Sequence, residues 1–466
     1  MSSFPLQSWW ASSPAHARRT AVAASGLVTV LIGLSGIIWA SPSVRKAISS
    51  GAQSVAAADP FLAKNAALSK HLLSLEQQLW HEQGAMTALK ASALSHQAQS
   101  ASQLAHLQQQ LTATQHQLAA AQASHGVSSS ATGATAVSAP SKAQLLDPSS
   151  RFYGMYTQQS PFNYADMNAT SKKVGVQPNL VGYFQGWDQD FRADAVKDAW
   201  AHGQLALLTW ESQPSTAGNN EPTQPTYSLP AILSGSFDSY IESYAKNIAA
   251  TGLPLAIRLD HEMNGVWYPW SEDDGHGGAI NGNATGDYVK VWQHIWNIFQ
   301  AEGANQYVIW DWSPNIVNNL TATHKTLAYT RSLYPGDQYV DWVGLSGYLR
   351  PPFSADQKVT FDATYGPSLT ILREITTKKI ILSEIGASDV GGHKPAWISS
   401  LFAALAQPKN SDIIGFAWFD EAVTTYIGGE LGTNDWRVDS RPEALAAFIA
   451  GLTSPADRFT LTPPPS

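Results

Sequence analysis

Eight short apolar, aromatic or β-branched runs recur along the last two thirds of the chain, at residues 152–156, 180–184, 205–209, 255–259, 307–311, 342–345, 380–383 and 414–418. Each has the length and character of a buried strand. Between most of them lie stretches with helical spacing, 237–250 and 288–299 being good examples. Strands alternating with helices imply a parallel sheet, and eight such units imply closure. An α/β fold, a (β/α)8 TIM barrel over residues 147–455 with a short tail at 456–466, is therefore expected. In such barrels the reactive groups sit at the C-terminal ends of the strands.

The first third of the chain follows other patterns. Residues 1–19 are a short polar tail ending in Arg18 and Arg19, and residues 20–40 carry no charge and are rich in Val, Leu, Ile, Ala and Gly. About twenty apolar residues just span a bilayer as a helix, and the run is long for a signal-peptide core. A retained transmembrane anchor is expected ahead of a cleaved signal, with the bulk of the chain on the extracytoplasmic side. Over residues 60–123 a helical, coiled-coil-like stalk is predicted, because Leu68, Leu72, Leu75, Leu79, Met86 and Leu89 keep heptad spacing. Many seam positions are small or polar, so the stalk fits a homo-oligomer and a solitary helix about equally. Residues 124–146, mostly Ser, Thr, Ala and Gly, read as a flexible linker.

Composition removes several function classes. The formal net charge of −8, with only 14% charged residues, gives no basic surface for a nucleic acid. The absence of cysteine excludes disulfides, thiolate metal sites and cysteine nucleophiles. Tryptophan is abundant: 13 of the 17 lie after residue 180, more than a core usually needs, so a few should line a cleft.

Two of the eight runs end in chemistry. The run 255–259 breaks into Asp260-His261-Glu262-Met263-Asn264-Gly265, then Trp267-Tyr268-Pro269-Trp270, and the run 380–383 leads into Glu384-Ile385-Gly386. Few buried strands end in glutamate for packing reasons alone. A zinc-protease helix is excluded, since the position four after His261 is Gly265 rather than histidine. Asp273-Asp274-Gly275-His276-Gly277-Gly278 hints at calcium but fits an exposed glycine turn better. No metal and no cofactor is expected.

The two glutamate motifs in barrel order, with the Asp435-Trp436-Arg437 triplet, resemble glycoside hydrolase family 26 over roughly residues 150–455. That family consists mostly of endo-β-1,4-mannanases, with β-1,3-1,4-glucanases and β-1,3-xylanases as minority members. The resemblance implies a retaining endo-β-glycanase acting on a polysaccharide, in which Glu262 is the acid/base and Glu384 the nucleophile. It implies that His261 contacts sugar hydroxyls, that Tyr348 steadies the nucleophile and that Trp418 is the aromatic floor under the cleaved sugar. Trp267, Trp270 and Trp310 are expected as cleft walls. A buried Arg258 needs carboxylate partners and would orient the nucleophile, and Asn264 would brace the turn. Burial and the charge of Glu384 should raise the pKa of Glu262. Two departures stand out: Trp267-Tyr268-Pro269-Trp270 replaces a more continuous aromatic run, which bears on mannan recognition, and Asp260 occupies a position expected to be apolar. The alternatives are a β-1,3-1,4-glucan or xylan endohydrolase and, from another class, a non-catalytic carbohydrate-binding or polysaccharide-export module.

Overall fold

The computed structural model describes residues 139–465, apart from 219, 352, 354–356, 428 and 429. The predicted anchor at 20–40 and stalk at 60–123 lie outside the described residues. Among the described residues no helix is long and apolar enough to cross a membrane.

Eight parallel strands close into a barrel in chain order. They are β1 (Phe152–Tyr156), β2 (Leu180–Gly186), β3 (Leu205–Glu211), β4 (Leu255–Leu259), β5 (Val308–Trp312), β6 (Trp342–Leu349), β7 (Ile380–Ala387) and β8 (Ile413–Phe419). Closure is direct: β1 pairs with both β2 and β8. Each apolar run of the sequence falls on a strand, and several strands extend beyond their run toward the C-terminal face. Helices such as Asp238–Thr251, Asp287–Ala301, Phe361–Ile375 and Lys394–Leu405 follow the strands. Outward strand side chains such as Trp310 and Trp418 pack against helix residues, for example Phe299 and Trp397.

The barrel interior is polar toward its mouth. Arg258, Asp311, Ser313, Ser346 and Ser383 are all fully buried there. Space is tight enough that a Cβ on Gly344 would lie 2.5 Å from both Asp311 Oδ1 and Ser383 Oγ. After β8 an antiparallel hairpin, β9 (Ala422–Ile427) and β10 (Glu430–Asp435), rises beside the mouth before the chain reaches Trp436.

Two boundaries differ from expectation. Residues 142–146, where a linker is expected, form the helix Lys142–Leu146, which buries Leu145 and pairs Lys142 with Asp341 at 2.8 Å. Where a tail is expected, residues 456–465 run back to the N-terminal face, where Phe459 bridges to Arg151 and Thr462 to Gln177. In both segments contacts distant in sequence order the chain.

Candidate active site

The C-terminal face opens into a cleft of about 480 Å³ lined by both sequence-singled glutamates, together with His261, Trp267, Tyr268 and Tyr348. Glu262 lies three residues past β4, in a turn where Asp260 (φ 42°) and Glu262 itself (φ 55°) adopt left-handed backbone. Such conformations cost ~1–3 kcal/mol each in a non-glycine residue and persist only where surroundings fix them. Here they do: Asp260 accepts from Ser212 N–H at 2.8 Å and its hydroxyl at 2.9 Å, and Glu262 N–H donates to Ser313 O at 2.7 Å. This accounts for the carboxylate at position 260, which ties the end of β4 to the end of β3. Asn264 exchanges two 2.8 Å hydrogen bonds with the Asn315 backbone and so fastens the same turn to the segment after β5.

Glu384 reaches the cleft by a different device, from inside β7. The β6–β7 and β7–β8 registers both slip around residues 382–384, the signature of a bulge. The slip lets consecutive residues face inward: Ser383 Oγ donates to Asp311 Oδ2 at 2.5 Å, while Glu384 Oε2 accepts from Arg258 Nη1 at 2.6 Å. Tyr348 O–H donates to Glu384 Oε1. The remaining Arg258 donors go to Thr209, Ser313, Ser346 and His261 Nδ1. Burial alone would weaken the Arg258 charge, but Glu384 and neighbouring groups raise its pKa overall.

The two glutamates sit in different electrostatic surroundings. Burial first, and then the negative charge of Glu384, raise the pKa of Glu262; Arg258 and hydrogen bonds from Asn315 and Trp267 oppose that rise without cancelling it. Trp267 Nε1–H donates to Glu262 Oε2 at 2.9 Å. A Cβ on Gly265 would sit 2.6 Å from that indole, so only glycine lets Trp267 fold back over the turn. Glu262 is thus pushed toward its protonated form while Glu384 is ion-paired with Arg258, an arrangement that can serve acid-plus-nucleophile chemistry.

Several expected cleft residues are elsewhere. Trp310 is fully buried behind β5, against Trp292 and Phe299, with its N–H on Asn305. Trp418 faces outward from β8 onto Trp397 and Phe448. Strand alternation explains both, because their neighbours Asp311 and Phe419 point inward. Trp270 is also fully buried: it stacks on Tyr268 at 4.4 Å and donates to His261 O at 2.7 Å, supporting the wall from behind. The aromatic surface of the cleft comes instead from Phe184, Trp267, Tyr268, Phe419 and Trp436. Trp436 packs on Tyr348 with ring centres 4.7 Å apart, and Phe184 is left exposed. Position 436 carried a sequence signal, the Asp-Trp-Arg triplet; Phe184 carried none.

His261 also differs from its expected part. Arg258 can only donate, so His261 Nδ1 must accept and Nε2 carries the proton, which it gives to Glu211 Oε1 at 3.1 Å. Burial and the Arg258 charge keep the ring neutral. Both nitrogens are therefore engaged within the protein. Among the described residues no group of acidic and histidine side chains is placed to hold a metal, and the Asp274 carboxylate accepts from turn amides of His276 and Gly278.

Comparison with known proteins agrees with the barrel. Residues 219–383 match the sequence model of glycosyl hydrolase family 26, a match that ends one residue before Glu384. "Endoglucanase H" of Acetivibrio thermocellus is 31% identical over 342 residues, covering 67% of this chain and 34% of that protein. "Mannan endo-1,4-beta-mannosidase" of Bacillus subtilis is 23% identical over 303 residues, covering 58% of this chain and 73% of its own length. The chain thus spans about a third of the first relative and nearly three quarters of the second. Among solved structures, a modular endo-β-1,4-mannanase from Cellulomonas fimi superposes with a TM-score of 0.51 at 18% identity, over 70% of this chain and 80% of its own, a likeness of fold.

Proposed function

The barrel of this chain belongs to glycosyl hydrolase family 26, and from that premise we propose that the protein is a retaining endo-β-glycanase that cuts internal bonds of a polysaccharide, β-1,4-mannan in the first instance. The carrying observation is that Glu262 and Glu384 share one cleft and are supported in opposite ways. In the first step Glu262 gives its proton to the leaving glycosidic oxygen while Glu384 attacks the anomeric carbon and forms a glycosyl ester. Esterification leaves the burial of Glu262 in place but removes the negative charge that adds to its effect, so the Glu262 pKa falls. The resulting carboxylate then takes a proton from water, which hydrolyses the ester with overall retention. Arg258 and Tyr348 hold the two Glu384 oxygens in place, and Trp436 and Phe184 offer faces on which the apolar side of a sugar ring can stack.

A second reading, a β-glucan endohydrolase, is favoured by the greater similarity to an endoglucanase (31%) than to the mannanase (23%), and by Tyr268 and Pro269 within the aromatic segment. Incubation of the full chain with mannan, mixed-linkage glucan and xylan, with reducing ends and the anomeric proton of the first product followed, separates the readings. Fresh β-anomer from mannan is expected. Fresh α-anomer would refute retention, and binding to one glycan with cleavage of none would favour a carbohydrate-binding module. A polymer substrate and the apolar run at 20–40 support a place on the extracytoplasmic face of a membrane, which fractionation with protease protection would test.

A further inference from the structure

A third carboxyl group, that of Glu211 at the C-terminal end of β3, lines the cleft and has no part in the two-carboxylate chemistry. Its Oε1 accepts from His261 Nε2–H, and Gln213 supplies a second side-chain hydrogen bond. Both His261 nitrogens are engaged within the protein, and the Glu211 carboxyl, beside Gln213, offers polar surface at this corner of the cleft. Two donors do not exhaust the hydrogen-bonding capacity of a carboxyl group in either protonation state, and the side chain keeps 12% of its surface open. The hydrogen bonds continue from His261 to Arg258 and from Arg258 to Glu384, so four polar side chains link the end of β3 to β7 across the barrel mouth.

We propose that Glu211 is a specificity-determining residue: its carboxyl takes a hydroxyl of the sugar unit held over Glu384, and the Glu211–His261–Arg258–Glu384 chain ties that contact to the position of the nucleophile. The assignment rests on the glycoside-hydrolase reading. Burial, followed by the charges of Glu384 and Asp260, pushes the Glu211 pKa up to about 8 against the opposing hydrogen bond of Gln213 and charge of Arg258. A carboxyl so poorly solvated gains from a sugar hydroxyl and loses when that hydroxyl is missing. A site built to hydrogen-bond a hydroxyl rejects the analogue lacking it by roughly 10⁴- to 10⁵-fold, and ~100-fold is a fair expectation at a partly open wall.

The test uses the full chain and aryl β-oligosaccharides of the cleaved glycan, in which the sugar at the scissile bond lacks one hydroxyl at a time. Wild type should lose about 100-fold in kcat/KM on one member of the set. Glu211→Ala should lose a similar factor on the parent glycoside and little further on that member, the non-additivity that marks a direct contact. Glu211→Gln, which keeps an oxygen for His261 Nε2–H, should recover part of the loss and carries the test if the alanine variant fails to fold. An equal loss for Glu211→Ala on the parent and every deoxy analogue would reduce Glu211 to a support for His261 and overturn the proposal. Parent glycosides left uncut by wild type would fail differently, by removing the hydrolase reading itself.

Discussion

Two buried arginines stand at opposite ends of the barrel, and what surrounds each separates the face that holds the chain together from the face that offers chemistry. Arg151, just before β1, gives its guanidinium donors to the backbone carbonyls of Ile413, Asp457, Leu405 and Asn410. Arg258, in β4, gives its donors to side chains: Glu384, Thr209, Ser313, Ser346 and His261. Burial and then Arg458 lower the pKa of Arg151, whereas that of Arg258 is raised overall. Main-chain carbonyls cannot be exchanged by mutation and make a clamp. Side chains gathered around a charge make a site, because each adjusts a neighbour that faces the cleft.

Substitutions at the two ends should part cleanly. Glu384→Ala should lower kcat on the order of 10⁴-fold, measured by initial rates, and should also lower the thermal midpoint, because the buried Arg258 loses its carboxylate partner; kcat within tenfold of wild type would break the assignment. Next, Arg258→Lys should cost about 10²-fold or more in kcat, since a single ammonium cannot serve five partners at once. Arg151→Met should instead cost ~2–5 kcal/mol of stability by stranding carbonyls, with kcat per folded molecule unchanged. Equal kinetic damage from both arginine variants would dissolve the contrast between the faces.

A finer version of the comparison uses two tryptophans eighteen residues apart, joined by a 2.8 Å hydrogen bond from Trp418 Nε1–H to Trp436 O. Trp418→Ala should destabilise by about 3–5 kcal/mol, as large truncations in a packed layer do. Trp436→Ala should mainly raise KM, by about tenfold, as read from saturation curves on the cleaved glycan.

The pH behaviour follows from signs. Glu262 must be protonated to act, and its pKa is raised by burial and then by Glu384, so activity should persist above the ordinary carboxylate range and fall as pH climbs through the raised value. Replacing Glu384 with Gln removes the neighbouring negative charge and should move the Glu262 titration downward, visible in carbon-13 spectra of labelled glutamate. An unmoved titration would mean that the two carboxyl groups do not sense each other. Smallest of all, Gly265→Ala should displace the Trp267 indole from Glu262 and cost only a few-fold in kcat/KM, the scale of one lost hydrogen bond.

Much was legible in the chain itself. Eight apolar runs of strand length, spaced by helical patterns, determine the barrel, because a parallel strand covered on both faces must be apolar whatever its neighbours. Glutamates at the ends of two such runs could be singled out because a buried strand has no packing use for them. Tertiary structure alone decided the rest. Whether Trp310, Trp418 or Trp436 faces the cleft depends on strand parity and on where the chain returns after a hairpin, and an indole reads the same on either side of a strand. Glu211 also ends an apolar run, but that position does not say what its carboxyl meets; its part is set only when closure brings it to His261, fifty positions away in sequence. The nitrogens of His261 were settled by Arg258, a donor with no acceptor to offer, and only the folded chain sets that donor against the ring.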